Sequence, residues 1–195
     1  ILWVKNHEPE IHREARYFLT SQAYLVYRLT GNATLDIFTA ADFTPLFDLH
    51  HNRWELETTA YVIPPEKLPV PTWSCDIAGM VTPEAARETG LAVGTPVIVG
   101  TTDAGAEVVS TAANKPGDLM VMFGSSCFCV LLAEKLMPSQ RLWATAWLDP
   151  SAYTLQGGTS TSGSITRWFR DQLAPVEQAA QAAGERLRPV AQLSD

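Results

Sequence analysis

The chain alternates between segments with helical spacing of apolar residues and short runs rich in β-branched residues. Glycine, proline and short polar residues separate these segments. The pattern predicts helices over residues 8–16, 22–29, 83–89, 104–113, 164–173 and 176–187. It predicts strands over residues 17–19, 96–100, 118–123, 127–132 and 153–156. Strands interleaved with helices place the chain in the α/β class.

Local signals mark several segment ends. Thr82 supplies a capping hydroxyl to a helix that has proline in its first position and that Gly90 ends. In the same way, Ser21 is expected to cap the second helix and Gly31 to end it. Residues 63–71 contain four prolines and therefore predict an extended connection without regular structure.

Composition is that of a globular protein. Of 195 residues, 46% are hydrophobic and 18% charged, which excludes a disordered tail, a collagen-like repeat and a coiled coil. The net charge of −7 comes without a cluster of basic residues, which argues against a nucleic-acid partner. The longest apolar run, residues 127–133, is far shorter than the roughly 20 residues of a membrane span, so no membrane association is expected.

The cysteines and the chain ends bear on location. The chain has three cysteines, and Cys127 and Cys129 share one face of a predicted strand, where buried thiols are commoner than a disulfide or a metal pair. This favours a reducing compartment. The start at Ile1 lacks a basic and apolar leader, so a cytoplasmic protein is expected. A start at isoleucine and an end at Asp195 without a stop-like feature favour a piece of a longer protein.

Asp103 is the first candidate for chemistry. It follows an apolar strand, and open α/β sheets bind ligands at strand ends. Its small neighbours leave room for a substrate beside the carboxylate. Alternatively, Asp103 is the N-cap of the helix that begins directly after it, and spacing alone favours that structural role. The two roles are compatible.

Two segments rich in glycine and hydroxyl groups are candidates for phosphate binding. Gly124, Ser125 and Ser126 separate two strands and can turn N–H and O–H groups toward a phosphate, although a plain hairpin turn is the commoner use. Residues 156–164 precede a helix, whose positive start favours an anion; the alternative is a flexible loop with a capping serine. Neither a P-loop nor a GxGxxG dinucleotide motif is present.

Histidine and tryptophan positions give no separate site. The four histidines do not form metal-ligand spacing with the cysteines, so no metal site is predicted, and His50 and His51 are expected in a surface turn. The six tryptophans are expected to be packing anchors rather than a platform for a sugar.

Several motifs occur along the chain in one order. They are residues 1–7; 24–31; Asp36, Ala40, 46–48 and Trp54; 90–97 leading to Asp103; 124–128; and 157–163 leading to 167–171. Their order and spacing resemble the FGGY family of carbohydrate kinases, which includes xylulokinases, ribulokinases, gluconokinases and glycerol kinases. The resemblance covers nearly the whole chain.

The resemblance implies an α/β fold of the actin-like ATPase (ribonuclease H-like) type, with parts of two domains of a sugar kinase. Residues 1–100 would form the latter part of the N-terminal domain and residues 101–195 the opening part of the C-terminal domain. The implied activity is ATP-dependent phosphorylation of a sugar or polyol hydroxyl, with Mg²⁺ neutralising the phosphates. The implied partner is therefore a small sugar or polyol, and a homodimer is compatible with the sequence.

The resemblance also assigns the acceptor side of the site. Asp103 would act as the general base, taking the proton from the sugar hydroxyl that attacks the γ-phosphate in line. Ala104 beside it and Phe128 on the following strand would border the sugar.

The nucleotide side follows in the same way. Gly124, Ser125 and Ser126 would line the ATP phosphates. Gly163 would approach the nucleotide from the second domain, and Thr166 would face its ribose.

Departures from the family pattern shape these expectations. Ala104 stands where glycerol kinases carry a polyol-binding glutamine, which argues against glycerol. Within the family, a ketopentose such as xylulose is the expected substrate. Ser126 replaces the second glycine of the phosphate loop. The family's N-terminal Asp-x-Gly-Thr hairpin and its adenine-binding glycines are absent, so the 195-residue chain by itself is expected to be inactive and to expose an apolar patch.

Two other functions stay open from the sequence. The missing ends and the altered phosphate loop are also compatible with an inactive fragment or diverged relative that serves as a binding or oligomerisation module. A non-kinase relative with the same fold, such as a chaperone ATPase, is the less favoured alternative, since fold alone does not decide function.

Overall fold

The computed structural model of the protein describes residues 1–184. In this range the helices are α1 (Leu2–His7), α2 (Pro9–Glu14), α3 (Ser21–Thr30), α4 (Ile37–Ala40), α5 (Leu56–Val62), α6 (Pro83–Thr89), α7 (Asp103–Ser110), α8 (Gly163–Leu173) and α9 (Pro175–Ala182). The strands are β1 (Thr34–Asp36), β2 (Phe47–Asp48), β3 (Arg53–Trp54), β4 (Val70–Thr72), β5 (Ile77–Met80), β6 (Pro96–Ile98), β7 (Leu119–Phe123), β8 (Cys127–Ala133), β9 (Trp143–Ala146) and β10 (Tyr153–Thr159). Turns of 3₁₀ helix cover Ala41–Phe43 and Pro65–Lys67.

The largest sheet lies in the later part of the described chain. Its strand order is β7-β8-β10-β9, and all neighbours are antiparallel. Alternate residues of β7 and β8, among them Met120, Val130 and Leu132, are buried in one core cluster with Val108 of α7. Trp147, which follows β9, completes this core. The sheet therefore carries α7, and with it the start of that helix, on one face.

The earlier part of the chain has a second core beneath smaller sheets. β1 pairs with β4 in parallel, with Leu35 opposite Pro71. Leu35, Ile63 and Trp54 are buried together there, and the Trp54 Nε1–H donates to the Pro69 carbonyl at 2.7 Å. Because Ala146 of β9 belongs to the same cluster, the two cores meet at β9.

The predicted helix ends agree closely with the structure where a local cap exists. The Thr82 hydroxyl accepts from the Ala85 N–H at 3.2 Å, and Gly90 takes the left-handed conformation after α6 at φ 78°. Gly31 ends α3 in the same way. The N-cap of α3, however, is Thr20 and not Ser21, which is the first helical residue.

Two of the predictions on local structure are wrong in the first half of the chain. Residues 17–19 form no strand, because Phe18 donates one backbone hydrogen bond to Lys67 and no neighbouring strand extends that contact. Residues 63–71 are not irregular throughout, since a 3₁₀ turn and the start of β4 lie within them. Pro71 is compatible with β4 because, among the described residues, this strand pairs on one side alone, with β1. Proline lacks the N–H that a central strand would need.

Three further predictions need adjustment. Residues 96–100 contain β6, but the strand is not buried: it pairs only with β5 in the described chain, and Val99 behind it is the fully buried residue. β10 does not end before Gly157 but continues to Thr159. The helix predicted over 176–187 begins as α9, and residues 185–187 lie outside the described residues.

The predicted domain boundary falls in a loop. β6 ends at Ile98 and α7 begins at Asp103, and Gly100 between them has a φ of 73°. The Gly100 N–H donates to the Ser74 carbonyl at 3.0 Å. The division into 1–100 and 101–195 stays a prediction.

The expected apolar patch is present on the free face of the large sheet. Leu119, Val121 and Phe123 alternate along β7 and are 57%, 57% and 71% exposed. Cys127 and Cys129 pair with Phe123 and Val121 on this face. Both thiols are free as expected, but they are half-buried rather than buried, because this face of the sheet has no covering layer among the described residues. Of the helices in residues 1–184, none has the length and apolar character needed to cross a bilayer.

Candidate active site

A cleft of about 740 Å³ opens between the two cores. Its walls come from α4 and the 3₁₀ turn after it, the start of α7, the strands β8, β9 and β10, and the loop before β9. We call it the acceptor cleft; its lining residues are Phe38, Ala41, Asp42, Thr44, Leu49, Thr102, Asp103, Ala104, Phe128, Pro138, Ser139, Leu142, Trp143, Ala144, Thr145 and Gln156. Three residues singled out from the sequence, Asp103, Ala104 and Phe128, therefore share one cavity.

Asp103 is the first residue of α7 and is exposed to this cleft. One carboxylate oxygen, Oδ1, accepts from the Ala104 N–H at 2.8 Å. The alternative role as N-cap is not what the structure has, because Thr102 occupies that position and its backbone is extended. The carboxylate is thus held at the helix start while facing the cavity.

A buried hydrogen bond fixes the loop that leads to Asp103. Asp36 at the end of β1 is fully buried, and its Oδ2 accepts from the Thr101 hydroxyl at 2.9 Å. The same oxygen accepts from the Thr39 N–H at 3.1 Å. A side chain at Gly105 would place its Cβ 2.6 Å from the Thr101 hydroxyl oxygen, so glycine is needed for this close approach. β1 is thereby tied to the residues just before Asp103.

The charge of Asp36 is costly in its surroundings. Burial raises the pKa of its carboxyl, and the hydrogen bonds from Thr39 and Thr101 offset only part of that effect. Its Oδ1 has no hydrogen-bond partner among the described residues. The pKa of Asp42, which is exposed on the cleft wall, is also raised, first by desolvation from surrounding atoms and then by repulsion from Asp36. Asp42 was not predicted from the sequence, where it has no motif around it.

Aromatic side chains form the apolar part of the acceptor cleft. Phe128 is half-buried and packs on the core beneath the sheet, while Trp143 on β9 is 61% exposed. The prediction that tryptophans are packing anchors is confirmed for Trp54 and Trp147, which are buried. It is wrong for Trp3, Trp143 and Trp168, which are 63%, 61% and 56% exposed. An exposed indole on the wall of a cavity is available to a ligand.

A second, smaller cavity lies at the start of α8. We call it the phosphate pocket; it measures about 290 Å³ and is lined by Gly124, Ser125, Gly163, Ser164 and Arg167. The Gly163 N–H donates to the Gly124 carbonyl at 2.9 Å, and the Ser164 hydroxyl donates to the Ser125 carbonyl at 3.0 Å. A Cβ at Gly163 would lie 2.5 Å from the Gly124 oxygen. The two predicted phosphate segments are therefore in direct contact.

The start of α8 is not free to bind an anion through its amides. The N–H groups of Ser162 and Ser164 donate to the Ser125 carbonyl, and that of Gly163 donates to Gly124. These bonds satisfy donors that a helix start would otherwise direct at a phosphate. Ser125 and Arg167 also line the pocket, and Arg167 supplies a positive charge that was not predicted from the sequence.

Two other predicted residues lie beside the phosphate pocket rather than on its wall. The Thr166 hydroxyl donates to the Gly163 carbonyl at 2.6 Å within α8. The Ser126 carbonyl accepts from the Gly124 N–H at 2.8 Å and closes the loop. Roles for both residues in ATP binding stay predictions.

Residues 1–184 contain no group of three or more His, Cys, Asp or Glu side chains arranged to hold a metal ion. His50 and His51 lie in the exposed turn after β2, where the His51 Nδ1 is 2.6 Å from the Asp48 Oδ2. That contact and two backbone N–H bonds lower the pKa of the Asp48 carboxyl.

The sequence and the fold have clear relatives. A match to the FGGY family of carbohydrate kinases, N-terminal domain, covers residues 1–110. The glycerol kinase of Brucella ovis is 28% identical over an alignment that covers 94% of this chain and 38% of that protein. The chain thus spans well under half the length of the curated relatives it matches.

Solved structures agree on the fold. The xylulose kinase of Rhodospirillum rubrum superposes with a TM-score of 0.84 at 29% identity, covering 93% of this chain and 37% of that one. The gluconate kinase of Lactobacillus acidophilus has a TM-score of 0.78 at 23% identity, covering 88% and 35%, and is a likeness of fold alone. The expected actin-like α/β fold is confirmed, and the chain belongs to the FGGY family of carbohydrate kinases.

Proposed function

We propose that the natural gene product containing this sequence transfers a phosphoryl group from ATP to a hydroxyl of a sugar or polyol, and that a ketopentose such as xylulose is its substrate. One observation carries the proposal: Asp103 faces the acceptor cleft, and the segments that line the phosphate pocket adjoin β8 and β10, the strands that contribute Phe128 and Gln156 to that cleft. Family membership supports the same reaction.

The acceptor side supplies the proton acceptor. Asp103 would take the proton of a sugar hydroxyl through the carboxylate oxygen that does not bond the Ala104 N–H. The hydroxyl oxygen would then attack the γ-phosphorus in line as the bond to the leaving ADP oxygen breaks. The anchored position of Asp103 supports this role, because phosphoryl transfer depends mainly on positioning and on stabilisation of charge.

The nucleotide side would hold the phosphates. Gly124, Ser125 and Ser126 would approach them, Gly163 would allow α8 to close on that loop, and Thr166 would lie toward the ribose. Arg167 adds a guanidinium that can form charge-assisted hydrogen bonds to phosphate oxygens.

Mg²⁺ fits this arrangement without a cage made by the protein. Mg²⁺ in kinases is commonly held by one or two carboxylates together with waters and substrate phosphates. Residues 1–184 offer no group of three or more carboxylate, histidine or cysteine ligands, so the phosphates and water would supply most of the ion's ligands. When bound, the ion would neutralise phosphate charge.

The sheet geometry supports a short distance between the two sides. Phe128 borders the acceptor cleft and is three residues beyond Ser125, which corresponds to roughly 10 Å along an extended chain. Gly158 lies opposite Phe128, and a Cβ there would be 2.7 Å from the Cys127 carbonyl. A sugar hydroxyl in the cleft and a γ-phosphate from the pocket can therefore meet near this strand pair.

The choice of a ketopentose rests on Ala104 and on a relative. Ala104 lines the cleft next to Asp103 and has no polar group to bind a small polyol. The aromatic side chains of Phe128 and Trp143 give apolar surface for the carbon skeleton of a larger sugar. The Rhodospirillum rubrum protein, named a xylulose kinase, aligns over most of the chain.

The test is a panel of sugars and polyols with the natural gene product, with ADP release as the signal. We expect release that depends on the sugar, with xylulose giving a higher kcat/KM than glycerol. The Asp103→Asn variant should lose roughly 10²–10⁴-fold in kcat while keeping its affinity for ATP. Wild-type turnover by Asp103→Asn would remove Asp103 from the base role. Sugar-independent release, or none, would favour a binding module instead.

A further inference from the structure

Asp42 is an acidic residue of the acceptor cleft with no partner inside the fold. It lies in the 3₁₀ turn after α4 and lines the cleft together with Asp103. Among the described residues no hydrogen bond or ion pair reaches its carboxylate, unlike Asp48 and Asp118, whose carboxylates accept backbone N–H bonds. Asp42 is thus a polar group that the fold itself does not use.

The surroundings of Asp42 work against its charge. Asp42 is exposed at the cleft, and the partial loss of hydration there, together with the nearby carboxylate of Asp36, raises its pKa. A side chain whose ionised form is opposed by the fold, and which has no compensating partner, does not stabilise the structure through its charge. Its position on the wall of a cavity makes the cavity's occupant the natural partner.

The charged side chains that line the cleft are all acidic. The described residues that line it include two carboxylates, Asp42 and Asp103, and no lysine, arginine or histidine. Its uncharged polar groups include the side chains of Thr44, Ser139 and Gln156. A cavity with low-dielectric walls strengthens the field of such charges, so the cleft repels anions and offers acceptors to hydroxyl donors.

We propose that Asp42 is a specificity residue that makes the cleft select uncharged polyhydroxylated substrates over sugars that carry a carboxylate. The inference rests on the proposed function for its choice of ligand. Asp42 accepts a hydrogen bond from a hydroxyl of the neutral sugar and repels a substrate carboxylate in the same position. The distinction matters in this fold, because both a xylulose kinase and a gluconate kinase share it.

The experiment compares xylulose and gluconate as probes of the natural gene product. Both kcat/KM with ATP and the equilibrium affinity of each sugar in the absence of ATP are measured. Wild type should prefer xylulose in both measurements. Asp42→Asn keeps the shape of the side chain and an acceptor oxygen but removes the charge. We expect the ratio of xylulose affinity to gluconate affinity to fall roughly tenfold, mainly because gluconate binds better.

A matched control separates the cleft from net charge. Glu134 is exposed and lies six residues beyond Phe128 along and past β8, roughly 20 Å away. Glu134→Gln removes the same charge and should leave the preference as in wild type. Raising the salt concentration should narrow the preference of wild type more than that of Asp42→Asn, because salt screens the charge that the variant lacks.

The outcomes divide cleanly. A narrowed preference in Asp42→Asn but not in Glu134→Gln supports the inference. An unchanged preference in a folded Asp42→Asn, or a wild type that binds gluconate as well as xylulose, overturns it. Loss of turnover with selective binding retained would overturn the proposed kinase function alone, and absence of binding of either sugar would overturn both.

Discussion

The acceptor cleft rests on buried structure, whereas the phosphate pocket is built from exposed residues. Behind the cleft, Asp36 is fully buried and Phe38 is 2% exposed. α8, which forms one side of the phosphate pocket, has no buried residue, and its Trp168 and Phe169 are each 56% exposed. Core packing therefore fixes the loop before Asp103, the proposed base, while a few backbone hydrogen bonds and one close glycine contact hold the proposed nucleotide side.

This difference predicts that substitutions in the phosphate pocket and substitutions behind the acceptor cleft have separate effects. A change in the phosphate pocket has little core to disturb, so it should alter ATP binding without unfolding the protein. A change behind the cleft disturbs buried groups and should alter stability and catalysis together. The predictions below probe that separation.

Gly163→Ala should have the largest effect on the nucleotide side. The added Cβ would lie 2.5 Å from the Gly124 carbonyl oxygen, and α8 must move away from the loop to relieve the clash. We expect the KM for ATP to rise by roughly tenfold or more, with the affinity for the sugar retained. Ser164→Ala is the control, since it removes one hydrogen bond to the Ser125 carbonyl and creates no clash. Equal effects of both variants would contradict the importance of the close contact.

Thr101→Val tests the acceptor side, where stability and catalysis should change together. It keeps the shape of the side chain but removes the hydroxyl that donates to the buried Asp36 at 2.9 Å. Loss of a hydrogen bond to a buried carboxylate should lower the free energy of unfolding by about 1–3 kcal/mol. Because Asp103 follows two residues later, kcat should fall as well while the KM for ATP stays constant. Denaturant unfolding and steady-state kinetics measure the two effects, and a variant as stable as wild type would contradict the account.

Arg167→Met should have a moderate effect confined to the nucleotide. It keeps an apolar stem of similar length in the phosphate pocket and removes the positive charge. We expect ATP affinity to fall by about fivefold at low salt and by less at high salt, since Arg167 is exposed. Titration of ATP at two salt concentrations gives both values. An affinity that does not change at either concentration would show that Arg167 does not face the phosphates.

The smallest expected effect is a dependence of the free energy of unfolding on pH, which comes from the titration of Asp36. Burial raises its pKa in the folded state, so the folded protein retains this proton to a higher pH than the unfolded chain. Its contribution to the free energy of unfolding therefore falls as pH rises from about 4 through the raised folded pKa, and is constant above that. The neighbouring Asp42, whose pKa is also raised, acts in the same direction.

Asp36→Asn isolates that contribution. The difference in unfolding free energy between wild type and variant should change across this pH range and level off above it, because the variant lacks the titrating group. Urea unfolding at a series of pH values measures the difference. A difference that is constant over the whole range would show that the folded-state pKa of Asp36 is not raised.

The sequence predicted elements best where the signal was local. Thr82 and Gly90 bound α6 as expected, because a capping hydroxyl and a left-handed glycine act within one turn of the helix. Residues 17–19 were assigned to a strand wrongly, since strand formation needs a partner that local composition does not reveal. β4 was missed for the same reason: its pairing with β1 joins residues far apart in the sequence.

The candidate site shows the same limit. The sequence and the resemblance singled out Asp103, Ala104 and Phe128, and the fold brings all three to one cleft. Asp42 and Trp143 also line it but belong to no motif, because their role depends on where α4 and β9 meet. The capping of α8 by loop carbonyls is likewise a tertiary contact, so the free helix start expected from the sequence is not found.

The most direct test of the account is phosphorus NMR of the natural gene product incubated with ATP, Mg²⁺ and xylulose. The account predicts that ADP and one new phosphomonoester of the sugar appear in equal amounts, and that Asp103→Asn suppresses both signals. Inorganic phosphate without a sugar phosphate, or full activity in Asp103→Asn, would contradict the assignment of Asp103 as the base of a sugar kinase.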